Sequence, residues 1–141
     1  MYTLRFFISW ILGAVLMYSA FYFWHGIVLT DLSRITYSHS LFLVFAAITY
    51  LAISFVVYKV FNLKMWNKVS RNLFLKALLT GVSVGFLLFV VTTVLGISFS
   101  MRHSLTYMLT DCIWQVVEQS LGAVIMALAH LFIYVPDFSE E

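Results

Sequence analysis

Four long apolar segments constrain this chain more than any other feature of its sequence. They run from Phe6 to Leu29, from Leu41 to Phe61, from Leu73 to Phe99 and from Cys112 to Tyr134. A helix that crosses about 30 Å of hydrocarbon needs about 20 mostly apolar residues, so each segment is long enough. In lipid every backbone polar group must be paired, and four strands are too few for a closed barrel. We therefore predict one all-α domain over residues 1–141, a polytopic membrane protein built as an antiparallel bundle of four transmembrane helices.

The composition agrees with a membrane protein. Of the 141 residues 63% are apolar and 10% are charged, and the mean hydropathy is +1.00. Soluble domains carry roughly 25% charged residues, so this chain lacks the polar groups that would cover a water-soluble fold. The net charge of +2 is too small to indicate a nucleic acid, and the partner that the composition predicts is the lipid bilayer. Cys112 is the single cysteine, which excludes an internal disulfide.

Basic residues are divided unequally between the two sides of the predicted bundle. One side carries Arg5, Lys59, Lys64, Lys68, Arg71 and Lys76, and the other carries Arg34 and Arg102. Cytoplasmic loops of membrane proteins are enriched in lysine and arginine. We therefore predict that both ends of the chain lie in the cytoplasm.

Small residues recur four positions apart on three of the segments. The rows are Ser9 and Gly13, then Ala77, Gly81 and Gly85, then Ala123 and Ala127. Such rows let a second helix approach closely in a membrane. They predict a packed bundle, and they leave open whether the neighbouring helix belongs to the same chain or to a second copy.

A polar stripe runs along the fourth segment. At about 100° per residue, Asp111, Gln115, Glu118, Gln119 and Gly122 fall within roughly a 100° sector of one helix. This sector is unsuited to lipid, so we predict that it faces other helices, a partner protein or a water-filled cavity. Glu118 is the strongest signal, because a carboxylate inside a bilayer costs a few kcal/mol and is a functional candidate by default. The alternative is a structural role, in which neighbouring amides hold the acid between helices.

His25 is the natural partner of Glu118. Because the first and fourth segments run antiparallel, we predict both residues in the outer leaflet, within about one helical turn of depth. Such a pair can relay a proton, bind a cationic group, or coordinate a metal together with Asp111. The simpler alternative is an interfacial histidine bonded to a carbonyl or a headgroup. The predicted ligand-binding residues are Glu118, His25, Gln115, Gln119, Asp111 and Trp114.

Catalytic and metal-binding signatures are absent from the sequence. The other histidines, His39, His103 and His130, are scattered, so we expect neither a metal nor a cofactor. No G-x-S-x-G, H-E-x-x-H, phosphate loop or C-x-x-C occurs.

Three functions therefore stay open, and we favour the first. It is binding or transport of a small molecule, an ion or a lipid headgroup at the outer polar site. The second is an accessory role, in which the polar face of the fourth helix docks another membrane subunit or a second copy as a homo-oligomer. The third is a lipid-modifying enzyme that uses Glu118 as acid or base.

Three short features resemble uncharacterised four-helix bacterial integral membrane domains of unknown function. They are the aromatic-rich end of the first segment (Tyr18 to Gly26), the glycines of the third (Gly81, Gly85 and Gly96), and the run from Leu109 through Gln115 to Gly122. The resemblance implies a four-helix fold in the bacterial cytoplasmic (inner) membrane, and it implies no reaction.

Overall fold

All regular structure in the described part of the chain is helical. The computed structural model describes residues 4–34, 36, 38–69, 72–99 and 104–133. The helices are α1 (Leu4–Phe21), continued by a π-helical segment (Tyr22–Val28), a 3-10 turn (Asp31–Arg34), α2 (His39–Phe61), α3 (Lys64–Val69), α4 (Leu73–Phe99) and α5 (Leu105–Phe132). The all-α prediction is confirmed for these residues. Arg71, Arg102, His103 and Tyr134, which entered the predictions above, lie outside them.

Four helical stretches are long and apolar enough to cross a membrane. They are Leu4–Val28, His39–Phe61, Leu73–Leu95 and Leu105–Phe132. This confirms the predicted number of candidate spans by length and composition. Many large apolar side chains point outwards from them, for example Phe45 and Leu87, which are 60% and 62% exposed. Apolar surface of this extent is unusual on a soluble monomer.

Hydrogen bonds show that α1 and α2 run antiparallel. The Trp10 indole N–H donates to the carbonyl of Leu51 at 2.7 Å. Two turns further along α1, the Tyr18 hydroxyl donates to the carbonyl of Leu43 at 3.4 Å, two turns earlier on α2. The buried Ser54 hydroxyl donates in the opposite direction, to the carbonyl of Trp10 at 2.7 Å.

The centre of the bundle is α5, which contacts α1, α2 and α4. Its closest neighbour is α4, where two glycines of the predicted small-residue row face it. A β-carbon at Gly81 would lie 2.6 Å from the backbone nitrogen of Ser120, and one at Gly85 would lie 2.7 Å from the Cα of Val116. Neither position has room for a side chain, so this close approach requires glycine. On α4, the neighbour of these glycines is the chain's own α5.

The start of α1 and the end of α5 lie at the same end of the bundle. The Arg5 guanidinium donates to the carbonyl of Ile133 at 2.8 Å. Nearer the middle, Gly122 of α5 packs directly on the side chain of Met17. From Arg5 to Met17 along α1, the contacted residue on α5 moves back from Ile133 to Gly122. The helices α1 and α5 are therefore also antiparallel.

The helix α5 begins about two turns before Cys112, where the fourth apolar segment was predicted to start. Ser104 caps it, because its side-chain oxygen accepts a hydrogen bond from the backbone N–H of Tyr107 at 3.2 Å. The residues from Leu105 to Asp111, which lie outside the predicted fourth segment, are therefore part of α5 itself. Asp111 lies well inside this helix.

Candidate functional site

The end of α1 that is nearest Asp111 is a π-helical segment. We call the half of the bundle that holds Asp111 and this segment the outer half, following the predicted orientation. The wider turn brings Trp24 onto Trp114 of α5, with ring centroids 4.4 Å apart and the planes 11° from parallel. The next residue, His25, lies with its ring 5.2 Å from that of Phe21. π-helical turns are rare and frequently occur at functional sites.

A cavity of about 270 Å³ lies between the π-helical segment, α4 and α5. We call it the outer cavity. It is lined by three of the predicted site residues, His25, Asp111 and Gln115. Its other walls are Phe89, Thr92, Thr93, Tyr107 and Met108. The structure thus brings together residues that lie far apart in the sequence.

A second hollow of about 310 Å³ adjoins the outer cavity. Asp111 and Tyr107 line both. Its remaining walls are Trp24, Leu29, Ser104, Thr106 and Thr110. Trp114 is not one of the lining residues, but its ring stacks on that of Trp24, which is. Asp111 therefore borders space on two sides.

A third space, of about 290 Å³, lies between α2 and α4. We call it the α2–α4 groove. It is lined mainly by apolar side chains, together with two threonines, Tyr50 and Gln115: Phe21, Phe42, Phe45, Ala46, Thr49, Tyr50, Ile53, Leu88, Thr92 and Gln115. Thr92 and Gln115 also line the outer cavity, so the two spaces share a wall.

Glu118 and Gln119 lie deeper than these spaces and are both 0% exposed. Glu118 is near the middle of α5, and the Gln119 side-chain amide donates to its Oε1 at 3.2 Å. The Tyr50 hydroxyl and the Trp114 indole also interact with the Glu118 carboxyl. The indole N–H nevertheless makes no hydrogen bond of ordinary geometry with any described residue.

Two buried acceptor oxygens of this deeper cluster have no hydrogen-bond partner among the described residues. They are Oε2 of Glu118 and Oε1 of Gln119. An unpaired buried polar group costs roughly 1–3 kcal/mol. Further hydrogen-bond donors or a positive charge would remove this cost.

The residues predicted as one site therefore occupy two levels. His25, Asp111 and Gln115 border the outer cavity, whereas Glu118 contacts Gln119, Trp114 and Tyr50 below it. Tyr50 was missed because it lies within an apolar segment and carries no charge. The one available signal was its hydroxyl, since a tyrosine in the middle of such a helix needs a polar partner.

His130 lies in the opposite half of the bundle. Its Nδ1 is 3.0 Å from the carbonyl of Met126, and its ring packs near those of Tyr58 and Phe61. Within the ranges that the structure covers, no three His, Cys, Asp or Glu side chains are grouped as metal ligands.

Comparisons with known proteins add no relatives. No protein-family model, curated protein or solved structure matches this chain. The resemblance to four-helix bacterial membrane domains therefore stays a prediction, and a function has to be inferred from the site itself.

Proposed function

We propose that this chain is an integral protein of the bacterial cytoplasmic membrane, which it crosses four times with both ends in the cytoplasm. Four helices of spanning length support the crossing. The contact between Arg5 and Ile133 brings the start of α1 and the end of α5 to the same end of the bundle, and this supports two chain ends on one side of the membrane. The end of α2 lies at this end of the bundle too, because Phe61 packs near His130. The connection that follows α2 is rich in basic residues, and these are enriched in cytoplasmic loops.

We further propose that the outer half binds a small molecule, an ion or a lipid headgroup that carries a positive charge or hydrogen-bond donors. The observation that carries this proposal is the unpartnered, fully buried Oε2 of Glu118. Asp111 and Gln115 line the outer cavity, and the unpartnered Oε2 of Glu118 lies beneath it. Carboxylate and amide oxygens form their strongest hydrogen bonds with charged donors.

The two carboxyl groups act together in this proposal. Asp111 and Glu118 are about 10 Å apart along α5, two helical turns. They interact electrostatically, and Gln115 lies between them on the same face. A cation in the outer cavity would interact favourably with both carboxyl groups. The site therefore favours positive charge at its mouth and at its base.

Three amphiphiles with the same chain and different head groups test which sign of charge the site prefers. Dodecylammonium, dodecanol and dodecanoate would be added at equal mole fraction to the purified protein in a nonionic detergent. We expect the ammonium to raise the melting temperature and the carboxylate to give no rise, as measured by circular dichroism. Equal shifts for all three would contradict the proposal.

Two substitutions connect that shift to the site. Asp111→Asn and Glu118→Gln each replace a carboxyl group by an amide of nearly equal volume, so we expect both to fold and to lose the ammonium effect. Glu140→Gln makes the same replacement in the C-terminal tail and should keep it. Native mass spectrometry of the same samples reports copy number. A dimer that Glu118→Gln dissociates, with no ammonium effect in the parent protein, would support the docking function instead.

A further inference from the structure

We propose that the ligand is a single-chain amphiphile that reaches the site from within the membrane. Its apolar chain lies in the α2–α4 groove, and its polar head lies in the outer cavity. This inference rests on the proposed function and names the class of ligand. The observation behind it is that a polar cavity and an apolar groove share a wall.

The shared wall consists of Thr92 on α4 and Gln115 on α5. A molecule bound across it would pass a hydroxyl and an amide at the point where its head meets its chain. On one side of this wall are Asp111 and His25, and on the other are mainly apolar side chains. The chemistry of the two spaces therefore changes from polar to apolar within one site, which is the pattern that an amphiphile requires.

The mouth of the groove lies on the outward surface of the bundle. Phe45 and Thr49 line it and are exposed, whereas Tyr50 at its inner end is buried. On a chain that crosses the membrane, this outward surface is covered by lipid tails and not by water. The groove is therefore accessible from the hydrocarbon, and its inner end leads to Tyr50, the residue that interacts with Glu118.

The packing of α4 explains why there is space on this side. On the side facing α5, Gly81 and Gly85 lie directly against the α5 backbone. On the side facing α2, α4 is much less closely packed. A chain between α2 and α4 would therefore leave the tight α4–α5 packing undisturbed.

The size of the groove favours one chain over two. Its volume is about 290 Å³. At about 30 Å³ for a water-sized group, it holds roughly ten such groups, which is one chain of about ten carbons. Lipid tails are as apolar as the groove, so a chain gains little free energy by moving into it. The head group then supplies the affinity, and the groove accommodates one chain.

Photocrosslinking maps the position of the chain directly. Two dodecylammonium probes, one with a diazirine beside the head and one with a diazirine in mid-chain, would be added to the full chain in phosphatidylcholine liposomes. We expect the first to label peptides that contain Tyr107 to Gln115. We expect the second to label Phe42 to Ile53 of α2. Unlabelled dodecylammonium should compete with both.

Filling the groove should remove the mid-chain signal. Ala46→Trp and Thr49→Trp each place a large ring in it, and we expect the competable mid-chain labelling to fall about tenfold. Leu87→Trp introduces the same residue at a 62% exposed position of α4 outside the groove and should leave the labelling unchanged. Circular dichroism checks that each variant is folded, and Thr49 is exposed enough to tolerate the change.

Three results would overturn the inference. Mid-chain labelling spread over all outward helix faces without competition would mean ordinary annular lipid. Competable labelling near Asp111 that Ala46→Trp and Thr49→Trp leave unchanged would mean a ligand bound from water, and the proposed function would survive. Competable groove labelling by dodecanoate as strongly as by dodecylammonium would remove both the amphiphile inference and the proposed preference for positive charge.

Discussion

The inner half of the bundle, which holds Phe61 and His130, contrasts with the outer half around His25 and Asp111. In the inner half Val57 and Phe61 are almost fully buried, and the Ser54 hydroxyl of α2 donates a hydrogen bond to the Trp10 carbonyl of α1. In the outer half the helices separate around three spaces of similar size. Close packing is the main source of helix association in membranes. We therefore expect stability to depend on the inner half and the middle of α5. We expect the proposed binding to depend on the outer half.

Overpacking the α4–α5 contact should have the largest effect. Gly81→Leu would force a side chain against the backbone of Ser120, and we expect it to lower the free energy of unfolding by about 3 kcal/mol. Val82→Leu, at the next position and 41% exposed, is the matched control and should change it little. Unfolding in dodecyl sulfate, followed by circular dichroism, measures both. Equal stability of the two variants would mean that α4 and α5 are not in close contact.

Glu118→Met should raise the free energy of unfolding. Replacing an incompletely paired buried acid by an apolar residue of similar volume is often neutral or stabilising, so we expect a gain of about 1 kcal/mol. The same unfolding experiment measures it, with Glu140→Met as the control for composition. A loss of more than about 1 kcal/mol would show that the acid holds the helices together.

Ser54→Ala removes one interhelical hydrogen bond of the inner half. Such bonds contribute about 0.6 kcal/mol on average in membranes, and we expect a loss of that size. Ser19→Ala is the control, because the Ser19 hydroxyl donates to Val15 within its own helix. If both serines behaved alike, the contact between Ser54 and Trp10 would contribute nothing to stability.

The smallest change in stability is expected for Gln115→Leu, in the wall between the outer cavity and the groove. It should alter the free energy of unfolding by no more than about 0.5 kcal/mol, because Gln115 borders open space on two sides. The melting shift with dodecylammonium should nevertheless disappear. A large loss of stability would contradict the separation of the two halves.

The four long helices were predictable from the sequence because each apolar segment is by itself long enough to form a membrane-spanning helix. The grouping of Asp111, Gln115 and Glu118 on one face was also predictable, since helical periodicity fixes it. Periodicity does not say which residues of other helices face that stripe, so Tyr50 and Thr92 were missed. Nor does it distinguish a π-helical turn from an α-helical one, and the stacking of Trp24 on Trp114 depends on that turn.

The central position of α5 has a consequence for how the protein is made. Chains are synthesised from the N-terminus, and α5 is the last of the described helices. Until α5 is synthesised, α4 therefore lacks most of its contacts with other helices, because α4 packs much less closely on α2 than on α5. If the chain crosses a membrane as proposed, the polar face of α5 meets α1, α2 and α4 already formed, and these helices can bury Glu118 as soon as it enters the bilayer.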